Sequence, residues 1–140
     1  MKKLFLAAIM FGVGIASIQA PAAAGEKFDP KVNITGNWIG SFLNNGLPQP
    51  VFANVEKMKL GETGLFVAFS RPFDCKVEAE YGGTGKNSHI FYISDENCSR
   101  SVLDFDNGDH IKLRMTGNGN LSYELNIGGS VSQSVTLESQ

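Results

Sequence analysis

The sequence has few of the motifs by which enzymes are recognised. No Gly-x-Ser-x-Gly nucleophile elbow occurs, and the two cysteines are not spaced as Cys-x-x-Cys. The glycine-rich stretch 82–88 is similar to a phosphate-binding loop, but that loop needs glycine where Glu80 stands and serine or threonine where Asn87 stands. The stretch is better explained as a hairpin tip that carries Lys86. We therefore expect no catalytic residues and no cofactor, and we predict that the protein is not an enzyme.

Runs of positive charge are also missing. The chain has 12 Lys and Arg residues against 14 Asp and Glu, and they form no basic stripe. Domains that bind nucleic acid carry a clustered positive surface, so we expect no nucleic-acid partner. Without Lys2 and Lys3, which belong to the leader described next, 10 of the 12 basic residues remain and the net charge is about −4. A mildly acidic surface favours encounter with a basic protein.

The longest apolar run is too short for a membrane helix. It extends from Leu4 to Ile18, follows Lys2 and Lys3, and leads into small residues. This pattern predicts a secretory signal peptide over 1–24, with cleavage near 22–24, and no membrane anchor after cleavage. We expect an N-terminal extension over 25–33, a single domain over 34–140, and a periplasmic or secreted location.

Cysteine is scarce, and both copies fall in the exported part. Cys75 and Cys98 are expected to form a disulfide, because two thiols in an oxidising compartment usually pair. Closing a loop of this length would stabilise the fold by about 3 kcal/mol in the chain-entropy model. The expected role of the pair is structural.

The exported part alternates short stretches rich in β-branched and aromatic residues with clusters of Gly, Asn and Asp. This pattern predicts an all-β protein, a small antiparallel meander barrel of about eight strands with one disulfide. Short connections force neighbouring strands to pair as hairpins, and closure removes the exposed edges. The predicted strands lie near 34–43, 50–60, 64–70, 74–81, 88–94, 99–105, 110–116, 121–127 and 131–137.

Alternating apolar and polar residues predict one buried face on each strand. Ile111 and Leu113 alternate with Lys112 and Arg114, as expected for a strand with one solvent-exposed face. Within 50–60 the alternation slips between Val55 and Met58, which predicts a β-bulge near residues 56–57.

The disulfide is difficult to place in a simple meander of these strands. Strands 74–81 and 99–105 would flank 88–94 and lie about 10 Å apart, beyond the Cα separation that a disulfide allows. We therefore expect residues 95–99 to cross one end of the barrel so that Cys98 reaches Cys75. A strand order other than the meander is the alternative.

Acidic residues crowd around an Asn-Gly pair in Asp104 to Asp109. An EF-hand loop starting at Asp104 fails in register, because its positions 5 and 12 hold Gly108 and Met115. Asn107-Gly108 is instead the preferred pair of a type I′ hairpin turn, and this is our prediction for the segment. A weak surface calcium site remains the alternative.

The two histidines, His89 and His110, lack the spacing of metal ligands. We interpret them as residues at the surface or at strand ends, and we predict no metal site.

One short segment resembles known barrel families. Gly36-Asn37-Trp38-Ile39-Gly40 resembles the first strand of lipocalin-like and avidin-like barrels, which implies that Trp38 packs at a closed end. Size, one disulfide and export signal are similar to those of small exported bacterial β-barrel inhibitors of lysozymes and proteases. This second resemblance implies a class of function and no site residues. On the residues alone, we expect Trp38 to belong to the core.

The loops at the barrel ends are the expected place of function, because a barrel of this size fills its interior with side chains. We predict a protein-binding module, an inhibitor or a protective interaction protein, with Leu47, Arg71, Phe73 and Lys86 as partner-binding residues. The alternative is a lipocalin-like carrier of a small apolar ligand in the barrel interior. Its cavity would be lined by phenylalanines, namely Phe28, Phe42, Phe52, Phe66, Phe69, Phe73, Phe91 and Phe105.

Overall fold

The structure, a computed structural model, describes residues 28–70, 74–98 and 105–140. These residues form eight β-strands and no helix. No helix long and apolar enough to cross a membrane therefore occurs in the described ranges. The strands are β1 (Gly36–Asn44), β2 (Leu47–Val55), β3 (Thr63–Phe69), β4 (Cys75–Thr84), β5 (His89–Cys98), β6 (His110–Met115), β7 (Leu121–Ile127) and β8 (Ser130–Ser139).

The strands form a closed antiparallel barrel in sequence order. Each strand pairs with the next, and β8 pairs with β1 through Trp38 with Ser139 and Ile39 with Glu138. Two-residue turns produce this order where backbone conformation allows them: Asn45 and Gly46 both have positive φ, as do Gly128 and Gly129. The predicted fold class, a small all-β meander barrel of eight strands with one disulfide, is confirmed.

Alternate residues of every strand fill the interior. Leu65, Phe91, Leu113 and Tyr123 are all fully buried, and lysine or glutamate occupies many of the intervening positions. Trp38 is 5% exposed, and its Nε1 donates a hydrogen bond to the carbonyl oxygen of Ile34 at 3.0 Å. Trp38 is therefore a core residue, as expected.

The bulge predicted near residues 56–57 is wrong, because β2 ends at Val55. Glu56 N still donates to Gly64 O at 2.8 Å, but the chain then leaves the sheet, which explains the slip in alternation. The irregularity in pairing lies instead on β3, between Thr63 and Leu65. Here Gly64 has no side chain, and a Cβ would collide with the Lys57 carbonyl. The missing side chain at residue 64 thus lets the β2–β3 connection fold back closely.

The disulfide between Cys75 and Cys98 is present, but the expected crossing of residues 95–99 over the barrel end is wrong. Strand β5 continues to Cys98, which lies directly opposite Cys75 on β4 with the Cα atoms 4.0 Å apart. One extra residue on β5, Ser94, shifts the register between Glu78 and Ala79, and its Oγ donates to the Glu78 carbonyl at 3.3 Å. Disulfides of structural type are typical of proteins outside the reducing cytoplasm, so the pair indicates a non-cytoplasmic environment.

Candidate functional site

The hairpin of β1 and β2 extends past the ladders that hold these strands in the barrel. The last ladder pair of β1 with β8 is Ile39 with Glu138, and the last pair of β2 with β3 is Val51 with Phe69. Beyond these pairs the two strands pair with each other, through Ser41 with Pro50 and on to the turn. We call residues 41–50 the hairpin arm.

The arm has a turn that fixes its register. Asn44 pairs with Leu47, and the two residues between them are Asn45, with φ of 53°, and Gly46, with φ of 80°. Positive φ at both positions defines the type I′ turn, whose twist matches that of the flanking strands. The arm is therefore a continuous two-stranded hairpin up to its tip.

The arm exposes two large apolar side chains. Leu43 is 74% exposed and Leu47 is 65% exposed, and none of the ten residues carries a charge. Leu43 pairs with Pro48 whereas Leu47 pairs with Asn44, so the two leucines lie on opposite faces of the hairpin. Leu47 was predicted as a partner-binding residue. Leu43 was missed because it was assigned to an ordinary strand position, and the signal that identifies it is the lack of any charge over residues 41–50.

Two prolines limit how the arm can pair. Pro48 and Pro50 occupy alternate positions of β2, so their missing N–H groups lie along the same edge of that strand. The ladder with β1 continues through both, which places this edge on the side away from β1. An edge without these donors is a poor template for another strand, and this limits aggregation through the arm.

The other predicted partner-binding residues do not join Leu47 in one site. Arg71 and Phe73 lie outside the described residues; the strand ends that precede and follow them, Phe69 and Cys75, lie at the same end of the barrel as the arm. Lys86 is exposed in the β4–β5 connection, and because turns alternate between the ends of a meander, it lies at the opposite end from Leu47.

Lys86 borders a groove on the outer surface of β5, β6 and β7. The groove has a volume of about 400 Å³, and its lining includes two further cationic side chains, those of Lys112 and Arg114. Glu124 is the one carboxylate in the lining. The alternation of apolar and polar residues along β6 predicted that Lys112 and Arg114 face outward. Their proximity to Lys86 depends on the strand order.

A second depression, of about 300 Å³, lies on the outer surface of β1 to β4. Its lining includes Phe52 and Phe66, with Lys76 and Glu78 on the neighbouring strand. Phe52 and Phe66 are outward positions of their strands, so they do not line an interior cavity with buried Phe69 and Phe91. Of the eight phenylalanines, Phe28 and Phe105 lie outside the strands and Phe73 lies outside the described residues, and the other five are divided between the two faces of the sheet.

The acidic segment contains a structural carboxylate. Asp109 is buried, its Oδ2 accepts a hydrogen bond from Asp106 N at 2.6 Å, and its Oδ1 accepts one from Gly128 N at 3.0 Å. These bonds connect this turn to the β7–β8 turn. Asp104 lies outside the described residues, and the described ranges contain no cluster of three potential metal ligands.

The turn in this segment is not of the predicted type. Type I′ requires positive φ at both Asn107 and Gly108, and only Gly108, at 90°, has it. Asp109 N donates to Asp106 O at 3.1 Å, so the four residues form a turn of type II character. Phe105, just before the turn, lies outside any strand, and the rest of the predicted strand 99–105 lies outside the described residues.

Both histidines begin strands, as the sequence predicted, but His89 is not a surface residue. It is 1% exposed, and its Nδ1 lies 2.8 Å from the hydroxyl oxygen of Tyr81. The ring of Phe28 packs edge-on against it, with centroids 5.0 Å apart. Burial lowers the pKa of His89. No partner is present for its Nε2 within the part of the chain that the structure describes.

Comparison with known proteins assigns no relative. Neither a protein-family model, nor a curated protein, nor a solved structure matches the chain. The inference of function therefore rests on the barrel fold, the hairpin arm and the groove that Lys86 borders.

Proposed function

We propose that the protein is an exported protein-binding module, an inhibitor or a protective interaction protein of the periplasm or the secreted space. The observation that carries the proposal is the hairpin arm, in which Leu43 and Leu47 are 74% and 65% exposed on a hairpin with a fixed turn. Large apolar side chains exposed to solvent are a common property of protein-binding sites.

The chemistry of the arm suits an apolar cleft in a partner protein. Full burial of a leucine side chain contributes about 1.5–3 kcal/mol, so Leu43 and Leu47 together supply substantial binding energy. Because residues 41–50 carry no charge, the arm enters a cleft without the cost of desolvating ions. The net negative charge expected for the exported chain favours a partner that is basic around its cleft.

Arg71 and Phe73 remain part of the proposal. They follow Phe69 in the sequence, which pairs with Val51 at the base of the arm, and arginine and phenylalanine are residue types that often anchor interfaces. We expect substitution of either residue to weaken partner binding and to leave the barrel folded.

The interior of the barrel favours this proposal over a carrier of a small ligand. Phe91, Leu113 and Tyr123 are fully buried and occupy the space in which a lipocalin-like ligand would bind. If a ligand of this kind is nevertheless bound, the apolar depression beside Trp38 and Phe52 is the place to search for it.

The proposal is tested with a double variant of the arm. The oxidised protein without residues 1–24 is used to capture proteins from envelope extract and from host secretions. Candidate partners are those lost when Leu43→Ser and Leu47→Ser are combined, and their dissociation constants are then measured with purified components. We expect the double variant to bind at least about tenfold more weakly than wild type, since two apolar contacts are removed.

The matched control is Leu60→Ser. Leu60 is 72% exposed, as exposed as the arm leucines, but lies in the β2–β3 connection at the opposite end of the barrel. It should retain wild-type affinity. Equal loss of binding in this control would indicate nonspecific adhesion, and full retention of partners by the arm variant would refute the arm as the binding site. A small molecule retained without any protein would favour the carrier.

A further inference from the structure

The groove on β5, β6 and β7 combines three cationic side chains from two separate parts of the chain. Lys112 and Arg114 project from the outer face of β6, and Lys86 approaches from the β4–β5 connection. The groove has a volume of about 400 Å³, which is in the range of small-molecule sites. Its remaining lining residues are Gly85, Asn87, Ser88, Ile90, Ser122 and Glu124.

The sheet register accounts for this convergence. Lys112 lies between Ile90 on β5 and Glu124 on β7, and Arg114 lies opposite Ser122. Residues 112 and 114 are two positions apart on one strand, so their side chains leave the same face. The floor of the groove is therefore a regular sheet, which holds both cations at a fixed spacing.

The β4–β5 connection holds Lys86 at the rim. Gly85 N donates a hydrogen bond to Ser88 O at 2.8 Å, so the connection closes on itself. It also packs tightly on the sheet, because a Cβ at Gly85 would lie only 2.7 Å from Ile90 Cδ1. Glycine at this position allows the approach, and the lysine that follows it is placed beside the groove.

Two of the three cations of the groove, Lys86 and Lys112, form no ion pair among the described residues. The lining contains one carboxylate, that of Glu124, whereas the whole chain has a formal charge of −2. Among the described residues no carboxylate lies within 4 Å of the Nζ atom of Lys86 or of Lys112, since the ion pairs formed are those of Lys57 and Lys59 with Glu62. A concentration of positive charge in a concave site attracts anions and raises their local concentration.

We propose that this groove binds a phosphate group, carried by a soluble phosphate ester or by a lipid headgroup. A phosphate monoester carries a charge of about −1.5 to −2 at neutral pH, opposite in sign to the two lysines of the groove. Arginine and lysine are the side chains that recognise phosphate oxygens, and the serine and asparagine groups of the lining supply hydrogen bonds to the rest of the ligand. This site lies apart from the hairpin arm and is independent of the function proposed for the arm.

The test uses the oxidised protein without residues 1–24 at low ionic strength, with pyrophosphate and glucose 6-phosphate as soluble probes. Binding is followed by amide chemical shifts and isothermal titration. We expect saturable binding, with the largest shifts at Lys86, Lys112 and Arg114. Lys112→Gln and Arg114→Gln should each weaken it about tenfold, because each removes a charge-assisted hydrogen bond. Lys86→Gln, in the loop, tests the same site without altering a strand.

The matched control is Lys76→Gln, which removes one exposed positive charge from the outer face of β4. It should change the affinity less than twofold. Equal weakening in the control, or shifts spread over the whole surface, would overturn the proposal, because both indicate general attraction of anions. Failure of both soluble probes to saturate, together with no binding to phosphatidylglycerol vesicles, would also overturn it.

The vesicles distinguish the two sources of the phosphate group. Binding to vesicles of phosphatidylglycerol that pyrophosphate displaces, and that Lys112→Gln weakens about tenfold, identifies a lipid headgroup as the ligand. Binding of the soluble esters without vesicle binding identifies a diffusible phosphate ester. Vesicle binding that neither pyrophosphate nor Lys112→Gln reduces would contradict the groove as the site.

Discussion

At the scale of single residues, His89 shows where sequence patterns stop being informative. Its alternation with Ile90 and Phe91 places it on the inner face of β5, but a histidine at the start of a strand is usually solvated. Its burial depends on Phe28 and Tyr81, which approach from other segments of the chain. No local pattern predicts such contacts, whereas the burial of Trp38 followed from its residue type and strand position.

This burial makes the stability of the barrel depend on pH. The pKa of His89 is lowered from the ordinary value of 6.5 because burial disfavours the charged ring. Below pH 6.5 the unfolded chain therefore binds a proton that the folded chain does not, and the free energy of unfolding must fall as the pH falls. We expect stability to be constant above about pH 7.5 and to decrease from pH 6.5 to 5, as measured by urea denaturation.

Substituting each histidine separately assigns this dependence. His89→Gln should flatten the curve between pH 5 and 7, whatever it does to stability at pH 8. His110→Gln is the matched control because it removes the other of the two histidines, and equal flattening in both variants would contradict an effect specific to His89. An unchanged slope in the His89 variant would assign the effect to other groups.

At the scale of elements, the sequence predicted strands wherever apolar alternation was continuous and failed where polar residues continue a strand. Residues 95–97, Asp-Glu-Asn, were assigned to a loop because these types are rare in strands. In the structure they pair with Lys76, Val77 and Glu78, next to the disulfide. The arm was also misjudged, because residues 44–49 were left between the predicted strands 34–43 and 50–60, whereas β2 begins at Leu47 and its prolines lie on the unpaired edge. Pairing with a neighbour overrides local propensity, and the neighbour is known only from the fold.

The disulfide should be a measurable part of the stability of β4 and β5. Cys75 and Cys98 are 23 residues apart in sequence. Reducing the bond increases the conformational entropy of the unfolded chain and should lower the free energy of unfolding by about 3 kcal/mol. The measurement is urea denaturation of wild type with and without dithiothreitol. Combined Cys75→Ala and Cys98→Ala should show no response to the reductant. If wild type is equally stable in both conditions, the bond does not stabilise the barrel.

At the scale of the whole molecule, closure of the barrel depends on the short ladder between β1 and β8, which we call the seam. The β1–β8 ladder contains two residue pairs, Trp38 with Ser139 and Ile39 with Glu138, and one further bond runs from Gln140 N to Asn37 O at 2.9 Å. The other neighbouring strands are joined by longer ladders, such as that from Gly36 to Asn44 along β2. Alternation and turn types predicted that the sheet would close, but they carry no information about the extent of the final ladder.

Gly40 is the residue that permits the two strands of the seam to approach. A Cβ at this position would lie 2.7 Å from both Leu137 Cδ2 and the carbonyl oxygen of Thr136. A leucine methyl can move by rotation about side-chain bonds, but a backbone carbonyl cannot, so Gly40→Ala must displace β1 from β8. We expect a loss of about 1–3 kcal/mol in the free energy of unfolding, the usual cost of overpacking.

Amide hydrogen exchange locates this effect, because displacement of the seam should accelerate exchange at Ile39 and Glu138 before it affects β6 or β7. Ser41→Ala is the matched control, since this neighbouring side chain is exposed and its loss leaves the approach of the strands unchanged. If Gly40→Ala were as stable as the control and exchanged at the same rates, closure would not depend on this contact. The barrel would then remain closed with a larger distance between β1, at the base of the arm, and β8.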